Sequence, residues 1–270
     1  MAPVTNETPG TRLKKALLIG INYTSNANKK NVLGGCINDV LDVQNALRKH
    51  RPGATEFRVL RDDAAAPETW PSGANIAAGL KWLVEGLGPG DAAYLHYSGH
   101  GNLVRDVSGD EASGFDSCIY AVPFTDKSKF ECITDDVLRT LLVDAVPEGA
   151  TLTAVFDCCN SGTCLDLRYT VVPVSDAVRV TETTRYAKSK GQVLLLSACT
   201  DTQKAAETAT HAGLPCGVLT KALLDALPTP GAMKLNRALG VLRAKIKQLG
   251  YQQTAQLSCG RAAAFDAALL

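Results

Sequence analysis

The stretch Thr151–Gly162, TLTAVFDCCNSG, decides the fold. A short apolar and β-branched run bounded by turn formers reads as a strand buried on both faces. This run ends abruptly in Asp157, Cys158, Cys159 and a small polar turn. In open parallel α/β sheets ligands bind at the carboxyl ends of the strands, so position alone nominates these side chains. A second apolar run, Ala92–Tyr97, passes through Ser98 and Gly99 to His100. The interval leaves room for one crossover, and two adjacent strand ends then carry a cysteine and a histidine, the constellation of a thiol nucleophile and its base. Taken alone, such a pair reads more readily as a buried thiol and a loop histidine. The flanks argue for chemistry: glycines on both sides of His100 admit close backbone approach, and the amides of Asn160-Ser161-Gly162 are placed to hold an oxyanion.

Working outward, apolar runs at Lys15–Ile21, Thr55–Leu60 and Gln192–Ser197 read as further buried strands, and Gln256 and Leu257 as a short closing one. Between them, apolar residues recur at helical spacing after Asn38-Asp39, over Ala74–Leu87, Val218–Leu227 and Leu235–Leu249. Strands alternating with helices at this rhythm predict crossover units: an α/β three-layer sandwich, a mostly parallel six-stranded sheet with helices on both faces. Residues 101–131, rich in Asp, Gly and Ser around one apolar piece, read as a long functional loop with room for a hairpin. Asp135-Asp136 begins a short helix. Residues 167–190 show no helical period and carry five basic side chains, which predicts an exposed irregular segment. Residues 1–12 read as a flexible lead-in, and 13–270 as one domain with parts 13–166, 167–190 and 191–270.

The totals exclude several classes. A net charge of +1 with 20% charged residues gives no general pull toward nucleic acid or an anionic membrane. The first residues lack the apolar centre of a signal peptide, and no run approaches the length of a membrane span; the expectation is a soluble, cytoplasmic protein. Nine cysteines, an odd number without repeating spacing, read as free thiols rather than a disulfide framework or a zinc site. Asp157 and Cys159 point to the same side of an extended segment, which sets a carboxylate beside the thiol and favours a cationic substrate side chain. Asp39 reads, on local grounds, as an acid in the first turn of a helix; Asp135 and Asp136 read as helix-capping acids, and Asp116 and Asp166 as solvated loop acids.

Two of these stretches, YLHYSGHG at 94–101 and TAVFDCCNSGT at 153–163, resemble the catalytic motifs of the metacaspases, caspase-like cysteine peptidases. GGCIND at 34–39, FDSCI at 115–119, CITDD at 132–136, LDLRY at 165–169 and GVLTKALL at 217–224 extend the resemblance along nearly the whole chain in the family's order. It implies His100 as general base and Cys159 as nucleophile, with Cys158 a neighbour the family can replace by serine. It implies a substrate pocket of Cys36, Asp39, Ser98 and Asp157 that takes Arg or Lys, and a Ca²⁺ site of Asp116, Asp135, Asp136 and Asp166. The family has histidine directly after the nucleophile where this chain has Asn160. The function expected is a calcium-dependent cysteine endopeptidase, monomeric, acting on protein or peptide substrates. A Pro- and Gln-rich or zinc-finger extension often precedes such cores, and the sequence is open to both a short form and a piece of a longer chain. Self-cleavage within 167–190 is expected at Arg179, Arg185 or Lys188. The competing readings are a non-proteolytic scaffold or quality-control factor on the same fold, and a legumain-like peptidase cutting after Asn, against which Asp157 argues.

Overall fold

The strand that ends in the two thiols is the middle of the molecule. In the computed structural model, which describes residues 12–51, 55–174, 177–201, 203–229 and 234–262, Leu152–Asp157 are buried without interruption. Burial on both faces is what an apolar run without polar alternation requires.

In chain order the elements are β1 (Arg12–Gly20), α1 (Cys36–His50), β2 (Glu56–Arg61), α2 (Gly73–Val84), β3 (Asp91–Ser98), β4 (Gly101–Arg105), β5 (Phe115–Ala121), β6 (Glu131–Thr134) and α3 (Asp135–Leu138). A π-helical turn over 139–143 follows, then β7 (Thr151–Asp157), β8 (Tyr169–Val174), β9 (Ala177–Glu182) and β10 (Gln192–Ser197). The last elements are β11 (Glu207–Ala209), β12 (Pro215–Gly217), α4 (Val218–Ala226), α5 (Leu235–Gln248) and β13 (Gln256–Cys259).

The main sheet has the order β2-β1-β3-β7-β10-β13-β8-β9. Its first five strands are parallel, and β13, β8 and β9 join antiparallel. Alternate side chains divide between two cores. Leu17, Ile19, Leu152 and Phe156 face α2 and the turn after α3, against Leu80, Leu83 and Leu142. Leu18, Val155, Leu194 and Leu196 face α1, α4 and α5, against Val43, Leu219 and Leu242. Each such residue contributes about 1.5–3 kcal/mol by leaving water, so both layers are anchored independently of the polar strand ends. Among the described residues no helix is long and apolar enough to cross a membrane.

Three expectations need correction. The six strands expected all form, but the sheet has eight, because 167–190 is not irregular throughout: β8 and β9 make a hairpin that extends the sheet past β13. Its period is two, with Tyr169 and Val171 buried and Val172 exposed, a strand signal masked by the basic residues. The loop at 101–131 contains two strands, β4 and β5, and leads into β6, the three forming a separate antiparallel sheet whose Ile119 and Ile133 join the α2-side core. The first strand starts at Arg12, the last residue of the expected lead-in; the rest of that lead-in lies outside the described residues.

Candidate active site

β3 and β7 are neighbours in parallel, with Ser98 directly opposite Asp157. His100 and Cys159 therefore lie two residues beyond the ends of adjacent strands, as the sequence requires. The two loops touch: a Cβ on Gly101 would lie 2.1 Å from the Cys159 carbonyl oxygen and 3.1 Å from Cys158 Sγ. Only glycine fits there, which accounts for the residue after His100.

His100 is fixed from several sides. Its N–H donates to Tyr23 Oη at 2.9 Å, and its carbonyl accepts from Tyr97 Oη at 2.7 Å. The ring lies against Tyr23, centroids 4.6 Å apart. Nε2 is 2.8 Å from the carbonyl oxygen of Asn31. A carbonyl only accepts, so Nε2 carries the proton and Nδ1 the lone pair. Burial lowers the pKa of His100, with the Asn31 carbonyl opposing, and the imidazole is neutral at physiological pH. Asn31 gave no sequence signal, since a main-chain carbonyl in a 3-10 turn works with any side chain.

The two adjacent thiols differ. Cys159 is partly exposed and Cys158 buried. Contact with the Cys164 thiol, then burial, push Cys158 well above the ordinary thiol range, which keeps it protonated and inert. Of the two, Cys159 alone is open to a substrate. The turn amides expected to hold an oxyanion are engaged inward: those of Asn160 and Ser161 face Cys199 Sγ, and those of Gly162 and Thr163 face the Asp201 carboxylate. Asn160, at the position where the family has histidine, adopts φ 50°, a left-handed conformation that asparagine tolerates, and its side chain donates to the Asp201 carbonyl.

Cys36, Asp39, Ser98 and Asp157 come together as the sequence expected. Ser98 Oγ donates to Asp39 Oδ2 at 2.6 Å, and the Cys36 thiol neighbours both Ser98 and Asp39. Asp39 also accepts from Gly217 N at 2.9 Å, and Asp157 Oδ2 accepts from Thr220 N and Thr220 Oγ1, each at 2.8 Å. Both carboxylates thus sit at the N-terminus of α4, where amides and dipole favour anions. Their donors are neutral, so no charge is cancelled. Burial raises Asp157 to about 6 and, with the charge of Asp157, raises Asp39 as well. Two buried carboxylates of this kind are stabilised by a cation between them. Gly217 and Thr220, which frame the pair, were not singled out in the sequence.

The acidic residues converge with three more than expected. Asp116 groups with Asp106 and Asp110, Asp136 and Asp166 with Asp110, and Asp135 and Asp166 with Glu111, each set having ligand oxygens within 4.8 Å of one another. Asp166 thus meets Asp135 and Asp136 directly, and Asp116 is grouped with acids of the loop between β4 and β5. Asp116 Oδ1 and Asp166 Oδ1 are buried without a hydrogen-bond partner, and burial first, then neighbouring acids, raise Asp116 to about 6, Asp135 to about 7 and Asp166 to about 9. Oxygen donors alone, two of them orphaned, fit a hard divalent cation. Asp106, Asp110 and Glu111 were legible only as loop acids.

Of the expected cut sites, Arg179 lies inside β9 opposite Val172. Arg185 and Lys188 lie beyond the hairpin and are exposed. Between them the buried Tyr186 donates to Glu111 Oε1, and Arg185 donates to the Asp110 carbonyl.

A parallel sheet with a neutral histidine and an accessible cysteine at adjacent strand ends defines a thiol hydrolase site. The profile of the metacaspase peptidase C14 domain matches residues 14–168, and the chain belongs to the metacaspase family of cysteine peptidases. It is 33% identical to Metacaspase-1 of Mycosarcoma maydis over 91% of its own length and 70% of that protein. It is 43% identical to Metacaspase-1 of Yarrowia lipolytica over 67% of its own length. The chain spans 38% of that second relative, and 34% of Metacaspase-1 of Cryptococcus neoformans, to which it is 42% identical. A solved protein of Geobacter sulfurreducens shares the fold, with a TM-score of 0.62 at 22% identity over 94% of this chain and 96% of the other.

Proposed function

We propose that this chain is a calcium-dependent cysteine endopeptidase that cuts proteins after Arg or Lys. The observation that carries the specificity is the pair Asp39 and Asp157, buried beside Cys159 with neutral donors only. A guanidinium or ammonium entering next to the thiol offsets one of their two charges, whereas an acidic side chain would add a third.

His100 Nδ1 takes the proton of Cys159, and the thiolate attacks the peptide carbonyl carbon. As the tetrahedral species collapses, the same nitrogen returns the proton to the leaving amine; it then deprotonates the water that cleaves the acyl-enzyme. The hydrogen bond from Nε2 to the Asn31 carbonyl keeps the ring oriented and strengthens as the imidazolium forms. Cys36 and Ser98 hold Asp39 in place.

Asp116, Asp135, Asp136 and Asp166, with Asp106, Asp110 and Glu111, would hold the calcium. The ion supplies the positive charge that lets these carboxylates stay ionised together. Their order sets the loop between β4 and β5, and that loop carries the contacts to Arg185 and Tyr186. Self-cleavage falls at Arg185 and Lys188, outside the β8–β9 ladder that protects Arg179.

Hydrolysis of fluorogenic peptides ending in Arg, Lys, Asp or Asn, in millimolar calcium and in chelator, is the test. Turnover of the Arg and Lys peptides in calcium only, with new chain ends after residues 185 and 188 by mass spectrometry, is expected. No Arg or Lys turnover, or equal turnover in chelator, would overturn the specificity or the calcium requirement respectively.

A further inference from the structure

A carboxylate outside the expected pocket reaches the same space. Glu207, on β11, stands opposite Gly217 in the β11–β12 hairpin, and Gly217 donates to Asp39. Its side chain crosses to the start of α1: Oε1 accepts from Gly35 N at 2.6 Å and Gly34 N at 3.0 Å, and Oε2 from Gly34 N at 3.3 Å. Gly35 is packed against Cys216 of the same hairpin, since a Cβ there would lie 2.6 Å from Cys216 Cα. Glu207 therefore bridges the two backbone segments that frame Asp39.

Both donors are neutral amides, so the full negative charge remains. The residue is exposed, and Oε2, with one long bond, keeps lone pairs for a ligand. The charge is felt by His100, by Cys36, and by Asp39 and Asp157. The hairpin pairing sets Glu207 across from Gly217, where a Cβ would touch both Asp157 and Asp39, so the carboxylate stands at the edge of the pocket those two line.

We propose that Glu207 is a specificity-determining residue, a third carboxylate at the mouth of the pocket that binds the substrate's guanidinium or ammonium together with Asp157 and Asp39. This rests on the Arg/Lys reading and deepens it. Its fixed position separates it from a mobile surface acid. The amides of Gly34 and Gly35 hold the carboxylate before substrate arrives, so little side-chain order has to be lost on binding. Because the site is exposed to water, the effect is that of a rim charge, about three- to tenfold in binding.

The test compares peptides identical but for Arg or citrulline, its neutral isostere, before the cut bond. Glu207→Gln keeps an amide oxygen to accept from Gly34 and Gly35 and removes only the charge. The wild type is expected to favour Arg strongly. The variant's Arg-to-citrulline ratio of kcat/KM should fall about three- to tenfold, carried by KM for the Arg peptide. The rise of that KM on acidification should also move to lower pH, since one neighbour that raises Asp157 and Asp39 is gone. An unchanged ratio, or a loss of kcat equal for both peptides, would overturn the proposal and leave Glu207 an anchor of the hairpin. A wild type blind to the Arg–citrulline difference would instead overturn the Arg/Lys reading itself.

Discussion

His100 Nε2 lies 2.8 Å from the carbonyl oxygen of Asn31, and that contact assigns the proton to Nε2 and the base to Nδ1. Burial holds His100 below its ordinary value, so the base stays competent at pH values where an exposed histidine would be half protonated. Burial pushes Asp157 up to about 6, so it attracts a cationic substrate where it is ionised and loses that attraction as it protonates. For an Arg peptide, kcat/KM should fall as the pH drops through about 6, mostly through KM. For a citrulline peptide the acid limb should lie lower, because only His100 governs it. Asp157→Asn should narrow the difference to the part that Asp39 and Glu207 carry, at a cost of about 2 kcal/mol in Arg binding. Identical acid limbs for the two peptides in the wild type would refute the role of Asp157.

The two thiols separate cleanly by burial, and their variants should too. Cys159→Ala removes the attacking atom from a partly exposed position and should abolish turnover without changing Tm. Cys158→Ala deletes a buried sulfur packed against Cys164 and Gly101. It should retain activity while costing about 1 kcal/mol of stability. An inactive Cys158→Ala beside an active Cys159→Ala would reverse the nucleophile assignment.

Gly217 shows which part of the pocket sequence reasoning could not reach. Its φ of −70° suits any residue, so nothing local demands glycine; the demand comes from space. A Cβ would lie 2.2 Å from Asp157 Oδ2 and 2.9 Å from Asp39 Oδ2. Gly217→Ala should therefore displace both carboxylates, with a loss of about 1–3 kcal/mol in stability from overpacking. The accompanying fall in kcat/KM for Arg peptides should be on the order of a hundredfold. A variant with wild-type kinetics would show that the pocket carboxylates do not bind substrate.

What was legible follows from how local each cause is. The run TLTAVFD announces a doubly buried strand by itself, and His100 and Cys159 follow from the ends of two such runs. Asp39 was legible as an acid at a helix start, but its pairing with Asp157 depends on α4, more than a hundred residues further on. The β8–β9 hairpin is hard to read because Arg179 shares the exposed face with Val172 and Glu182 breaks the apolar alternation on the other face. Asn31 and the inward-facing amides after Cys159 act through the main chain, which residue identity does not encode. Asp106, Asp110 and Glu111 become ligand candidates only when β4 and β5 bring their loop against Asp116, Asp136 and Asp166.

The acidic cluster makes a prediction about stability whose sign can be worked out. Asp166 and Asp135 rise to about 9 and about 7, from an ordinary carboxyl value of 3.8 that the unfolded chain retains. The folded protein therefore holds protons that the unfolded chain releases, and in chelator its stability should rise as pH falls from 9 to 7. Below about 6.5 a buried histidine opposes this gain without cancelling it, because Asp116 and Asp157, raised to about 6, still take up protons in the fold. His96 is buried and lowered to about 3, so the unfolded chain then takes up the proton that the fold refuses. Calcium should raise Tm most at pH 9, where the carboxylates are ionised, and so flatten the gain between pH 9 and 7. Asp166→Asn removes the largest of the shifted groups and one orphaned oxygen. In chelator it should be more stable than the wild type at pH 9, and calcium should no longer raise its Tm. Thermal denaturation across this pH range, with and without calcium, measures each term without reference to activity. A wild-type Tm insensitive to calcium at pH 9 would sink the assignment of these residues to the ion.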